Sequence, residues 1–235
     1  MNKYILIVLV LGLAKWWFTD PTISVPTSDV SFSYIVKYSG NSGRNDSLPM
    51  LVALHGNGDT AKNFYNTALD QLSAPARIVL LKGPIPKAGG SAWPWNAADY
   101  AQYGNAINEA IASLALKYPT IEKPILLGFS GGGMVAYYQA VKHGNSYSYI
   151  FPVSGQLSND MLGEKPFRQG AKVLAFHGNK DSVVSISGGK RAISILQEHG
   201  VSVKLVEFDG GHHGIFTDMK PTITQAIEQE IRSLR

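Results

Sequence analysis

Cysteine is absent from the 235 residues. Its absence excludes disulfide frameworks, cysteine-ligated zinc, iron–sulfur clusters and thiol nucleophiles, without fixing the compartment, since exported proteins can also lack the residue. Charge is sparse: 16% of residues are Asp, Glu, Lys or Arg, and the net charge of +4 comes with no long basic run. That balance excludes the electrostatic footprint of a nucleic-acid binder. A long apolar run is missing too. The stretch Tyr4–Ala14 follows the single positive charge of Lys3 and is too short for a membrane span, which needs about 20 residues. Its proportions are those of a signal peptide, with Gly12-Leu13-Ala14 as a small-x-small cleavage pattern. The alternatives are an uncleaved N-terminal anchor prolonged by Trp16-Trp17-Phe18 and, third, a buried structural segment. The first reading makes the chain periplasmic or secreted, the second membrane-anchored, and membrane contact is expected only through this segment. Residues 1–29 thus read as signal peptide or anchor plus a polar, Pro-bearing linker, and 30–235 as one folded domain.

What is present suits a compact enzyme-sized domain. Hydrophobic residues make up 45% of the chain, enough for a core that buries roughly 70% of the extended-chain surface. From Ser31 onward short β-rich runs alternate with longer helix-compatible runs, the pattern of βαβ units on a mainly parallel twisted sheet flanked by helices. The strands are expected at Phe32–Tyr38, Met50–Leu54, Arg77–Leu81, Pro124–Phe129, Tyr149–Val153, Lys172–Phe176 and Val201–Phe208. Continuous apolar runs such as Ile125-Leu126-Leu127 suit strands covered on both faces, where period-two alternation disappears. The helices are expected at Ala61–Leu72, Ala98–Tyr118, Gly132–His143, Gly188–His199 and Pro221–Leu234.

The strand ending at Phe129 runs straight into Gly128-Phe129-Ser130-Gly131-Gly132 and then a helix. Strand, sharp turn and helix in this order form a nucleophile elbow, in which a strained serine is lifted above the sheet edge and small residues two before and two after avoid a clash. The bare motif is weak, and its context carries the weight. A serine hydroxyl needs a base, itself held by an acid, in the chain order Ser, Asp/Glu, His for such a fold. Asp181 follows the strand Lys172–Phe176, and His212 and His213 follow the next one. Each candidate therefore sits just past the carboxyl end of a strand, where open α/β sheets place reacting groups. The loop His55-Gly56-Asn57-Gly58-Asp59-Thr60 after the strand Met50–Leu54 has a backbone role. An oxyanion needs a second N–H besides that of Gly131, and Asn57 is the expected donor, while Asp59 or Thr60 caps the following helix.

With these stretches together, and with Val153-Ser154-Gly155 and Phe176-His177-Gly178-Asn179-Lys180-Asp181, the chain from about 30 to 235 resembles the α/β-hydrolases of the phospholipase/carboxylesterase group, which includes the acyl-protein thioesterases. The resemblance implies the α/β-hydrolase fold, Ser130 as nucleophile, Asp181 as orienting acid, His212 as base, and Gly131 and Asn57 as oxyanion donors. His213 is the alternative base; His212 is preferred because the family's base directly follows a glycine. Gly131 stands where the acyl-protein thioesterases usually carry glutamine, and Ser185 where a proline is common.

The expected activity is hydrolysis of small or lipid-like carboxylic esters of short to medium acyl chain through an acyl-Ser130 intermediate. Thioesterase, lysophospholipase and polymer- or feruloyl-type esterase activities use the same triad and stay open, as does a catalytically silent hydrolase-fold protein that only binds. No cofactor or metal is expected, because six scattered histidines include no H-E-x-x-H or comparable set. His55 and His177 precede glycines at strand ends and are expected to shape loops. The resemblance implies that Ser91-Ala92-Trp93-Pro94-Trp95 lies near the acyl pocket, where Trp93 and Trp95 are expected to line an apolar substrate groove or, equally, to pack onto the domain surface. About 200 residues from Ser31 leave little room for a large lid domain, so an open site is expected.

Overall fold

The computed structural model describes residues 23–94, 96–163 and 170–235. The segment read as signal peptide or anchor, apart from its last linker residues, lies outside them. In chain order the strands are β1 (Ile23–Pro26), β2 (Ser31–Ser39), β3 (Leu48–Leu54), β4 (Ala76–Leu81), β5 (Ile85–Lys87), β6 (Gly90–Ala92), β7 (Thr120–Phe129), β8 (Tyr149–Val153), β9 (Lys172–Gly178) and β10 (Val203–Phe208). The helices are α1 (Ala61–Phe64), α2 (Ala97–Lys117), α3 (Gly131–Lys142), α4 (Asn159–Leu162), α5 (Ile186–Glu198), α6 (Ile215–Asp218) and α7 (Lys220–Ser233).

Among the described residues the main sheet has eight strands in the order β1-β2-β4-β3-β7-β8-β9-β10. The pairs from β4 to β10 are parallel, and β1 and β2 add an antiparallel edge. The α/β-hydrolase fold expected from the sequence is therefore present. Successive residues of β3 feed opposite cores: Met50, Val52 and Leu54 pack on one side, Leu51 and Ala53 on the other. Both faces are dry, which is why the strand reads as an unbroken apolar run. On the first face lie buried residues of α2, α3, α4 and α5; on the second lie those of α1, α6 and α7. Helix α7 buries Ile223, Ile227 and Ile231, four residues apart on one stripe.

Two expectations change. Ile23–Pro26, assigned to the linker, forms edge strand β1 and pairs with Ser31–Tyr34 of β2. The run Ala61–Leu72 is not one regular helix: α1 gives way to a π-turn at Tyr65–Leu69. That extra residue per turn accompanies the burial of Phe64, Ala68 and Leu69 against the sheet.

Candidate active site

Ser130 joins β7 to α3 with φ 53° and ψ −115°. A positive φ costs a β-carbon-bearing residue on the order of 1–3 kcal/mol and persists only where its surroundings dictate it. Here the Ser130 N–H donates to Val153 O at 2.9 Å, and the turn closes too tightly for side chains. A β-carbon on Gly128 would strike the Gly132 carbonyl, and one on Gly132 would strike the Leu54 carbonyl. The hydroxyl is thereby presented above the carboxyl edge of the sheet, as the elbow reading requires.

The loops after β9 and β10 bring the other two groups to it. His212 Nε2 lies 3.0 Å from Ser130 Oγ, and His212 Nδ1 lies 2.7 Å from Asp181 Oδ2. The carboxylate can only accept, so Nδ1 carries the proton and Nε2 offers its lone pair to the serine O–H. Asp181 is held in turn by the backbone N–H groups of Val183 and Val184, both donating to Oδ1 at 2.9 and 2.8 Å. Burial of His212 lowers its pKa below the ordinary histidine value; the hydrogen bond and charge of Asp181 oppose this, and His213 and His177 add to it. The imidazole is therefore poised as a neutral base. His213 is exposed at the rim, edge-on to His212 with ring centres 5.1 Å apart, and His212 takes the position between Ser130 and Asp181.

The two further strand-end histidines shape loops, as expected. His177 is fully buried, with Nε2 2.8 Å from Val184 O and 3.4 Å from Asp181 Oδ2. Since a carbonyl cannot donate, Nε2 carries the His177 proton and braces the loop that positions Asp181. His55 Nε2 accepts from the Gly83 N–H at 3.1 Å, so its Nδ1 donates to Gly56 O at 2.7 Å. Thr60 caps α1 by accepting from Asn63 N–H, and Asp59 Oδ1 accepts from Thr60 N–H.

Trp93 departs from the substrate-groove reading. It is fully buried, with its indole N–H donating to His55 O at 2.7 Å and its backbone N–H to Asn57 Oδ1 at 2.8 Å. The ring fills the core behind the Asn57 loop instead of facing the cleft, because its N–H needs an acceptor when buried and finds one there. Trp95 lies outside the described residues. The hairpin β5–β6, unforeseen in the sequence, explains how Trp93 is delivered: Ser91 N–H donates to Asp59 O at 3.0 Å and Gly58 N–H to Ser91 O at 2.8 Å.

Ser130, His212, Asn57 and Gly131 all open onto one cleft of about 510 Å³. Phe64, Phe129, Phe216 and Met134 give it an apolar side, and Asn63, Thr67 and Gln156 a polar one. The three phenylalanines pack on one another, Phe129 and Phe216 edge-to-face at 5.1 Å, and Phe129 lies 5.0 Å from the His212 ring. Phe216 and Gln156 line the cleft without having been expected from the sequence. Gln156 had a usable signal, its place just past the end of β8; Phe216 comes from the short α6, which no periodicity marks.

The family model for Phospholipase/Carboxylesterase matches residues 94–231. No curated protein matches the sequence. Among solved structures, esterase PE8 is 25% identical, with 83% of this chain and 99% of that one covered and a TM-score of 0.68. A carboxylesterase from Mesorhizobium loti is 17% identical over 89% of this chain and 98% of its own, with a TM-score of 0.71. The Bacillus cereus carboxylesterase is 15% identical over 83% and 94%, with a TM-score of 0.64. The last two share the fold with this chain.

Proposed function

The chain belongs to the phospholipase/carboxylesterase family of hydrolases, and we propose that it cleaves carboxylic esters through an acyl-enzyme on Ser130. The observation that carries this reading is the unbroken hydrogen-bonded series from Ser130 Oγ through His212 to Asp181, opening on a cleft. As Oγ attacks the acyl carbon, its proton passes to His212 Nε2, and Asp181 stabilises the imidazolium that forms. The backbone N–H groups of Asn57 and Gly131 take the charge that builds on the carbonyl oxygen. The carbon–alkoxy bond then breaks, and His212 returns the proton to the departing alcohol. Water next attacks the acyl-enzyme, giving its proton to His212, which restores the Ser130 hydroxyl as the acid leaves.

A cleft of about 510 Å³ with a phenylalanine-lined apolar side supports short to medium acyl chains. The test is intact-mass analysis after exposure to a fluorophosphonate, with peptide mapping and a Ser130→Ala control. One adduct on Ser130, absent from the control, and turnover of p-nitrophenyl butyrate reduced by about 10³-fold or more in the variant are expected. A folded protein that forms no adduct and hydrolyses no ester would sink the mechanism.

A further inference from the structure

The side chain of Asn57, as well as its backbone, lies against the turn that follows Ser130. The side-chain carboxamide lies flat against Gly131: a β-carbon on that glycine would strike Oδ1 and come within 2.7 Å of Nδ2. The amide thus occupies the volume that any side chain at residue 131, next to Ser130, would otherwise fill. Its orientation is fixed, because the Trp93 backbone N–H must meet an acceptor and meets Oδ1 at 2.8 Å. Nδ2 is left as the free end, and among the described residues it has no acceptor. Asn57 and Gly131 both line the cleft. A preorganised N–H₂ donor without a protein partner, at the mouth of a reaction cleft, is poised for an oxygen that arrives with the substrate.

We propose that the Asn57 carboxamide is a third donor to the carbonyl oxygen of the bound ester, beside the backbone N–H groups of Asn57 and Gly131. The proposal rests on the serine-esterase reading above. It makes Asn57 a catalytic residue through its side chain and makes glycine at 131 a steric condition for that role.

Asn57→Asp and Asn57→Ala separate this role from simple anchoring of Trp93, using p-nitrophenyl butyrate kinetics and thermal midpoints on the full chain. Both variants keep the backbone N–H. The aspartate also keeps an acceptor for Trp93 but sets a carboxylate oxygen in place of Nδ2, facing developing negative charge. The expected result is a fall in kcat of about 10²-fold for Asn57→Ala, at least as large a fall for Asn57→Asp, and KM within about threefold in both, as for a donor that acts in the transition state. Near-wild-type kcat in a folded Asn57→Asp would overturn the proposal in favour of anchoring. Should the aspartate fail to fold, Asn57→Ala decides: a lowered melting point with kcat retained overturns it, and a lowered kcat with KM retained supports it. Gly131→Ala adds a second check. It should lower kcat in the parent and cost less in the Asn57→Ala background, where the amide it displaces is gone; equal losses in both would overturn the shared-space placement. A parent protein that neither labels at Ser130 nor cleaves the ester would instead refute the underlying esterase reading.

Discussion

A histidine that must start neutral and end protonated works best when its environment leaves both states accessible. Burial lowers the pKa of His212, and Asp181 pulls it back up. The net depression keeps Nε2 unprotonated at neutral pH, beside a carboxylate that can support an imidazolium. The proposed mechanism needs the neutral form, so on that reading kcat/KM should rise with pH through an inflection below the ordinary histidine value of 6.5 and stay flat above it. His213 is one of the charges that lower His212. His213→Ala should therefore move the inflection upward and leave the plateau within a few-fold, whereas His212→Ala should cost as much as loss of the serine, about 10³-fold or more. A pH–rate profile of the two variants checks both points, and the reverse ranking would transfer the base to His213. The single-residue roles that local order could not reveal are those set by contacts across the chain. The sequence leaves Trp93 between lining the groove and packing onto the domain, and what decides for packing, its bonds to His55 and Asn57, comes from 38 and 36 residues away.

At the scale of elements, the strands of the parallel sheet were legible because burial on both faces leaves continuous apolar runs bounded by glycine turns, and β8 falls at Tyr149–Val153 as expected. The three strand-end loops that supply Ser130, Asp181 and His212 were legible for the same reason: strand ends and chain order are local signals. The short elements were not. Strand β1 shows only Val25 to the core, and β5 and β6 have three residues each, too few for any period to register. Yet the β5–β6 hairpin is bonded to the loop that carries Asn57. A β-carbon on Gly90 would strike the Asp59 carbonyl, at the point where Ser91 bonds to Asp59 and Gly58. Gly90→Ala should push the hairpin off the 56–59 loop, destabilise the fold by about 1–3 kcal/mol as overpacking does, and displace Asn57. The expected readout is a lower kcat in protein that still melts cooperatively. An alanine variant with unchanged kcat and melting point would show that the hairpin and the loop are independent.

At the scale of the whole molecule, the described residues form a sheet between two apolar layers, and the edge that carries Ser130 is only as rigid as the helices that close those layers. Helix α7 closes the second layer, and Phe216 of the preceding α6 reaches the cleft, so the seat of α7 bears on the site. Three isoleucines hold the helix by burial, and Glu228 fixes its height. One carboxylate oxygen accepts from Ser73 N–H at 2.6 Å, Ser73 O–H at 2.7 Å and Ala74 N–H at 3.1 Å, and the other pairs with Arg232 at 2.7 Å. Burial, the largest single influence on this carboxyl, pushes its pKa up, but the Ser73, Arg232 and Ala74 bonds together outweigh it and hold the group at about 2, below its ordinary 4.5. The folded pKa is the lower one, so the folded chain binds fewer protons than the unfolded chain in this range. The stabilisation is present above pH 4.5 and is lost as pH falls toward 2. Glu228→Gln keeps an acceptor for the 73–74 turn but loses the charge. It should be less stable than the parent by about 1 kcal/mol at pH 7, the value of a charge-assisted bond discounted for its reach to solvent. The gap should narrow through the acid range and close near pH 2. Urea unfolding of both proteins across pH 2 to 7 measures it, and a gap that stays constant with pH would mean that Glu228 holds α7 by shape and hydrogen bonds alone, without its charge.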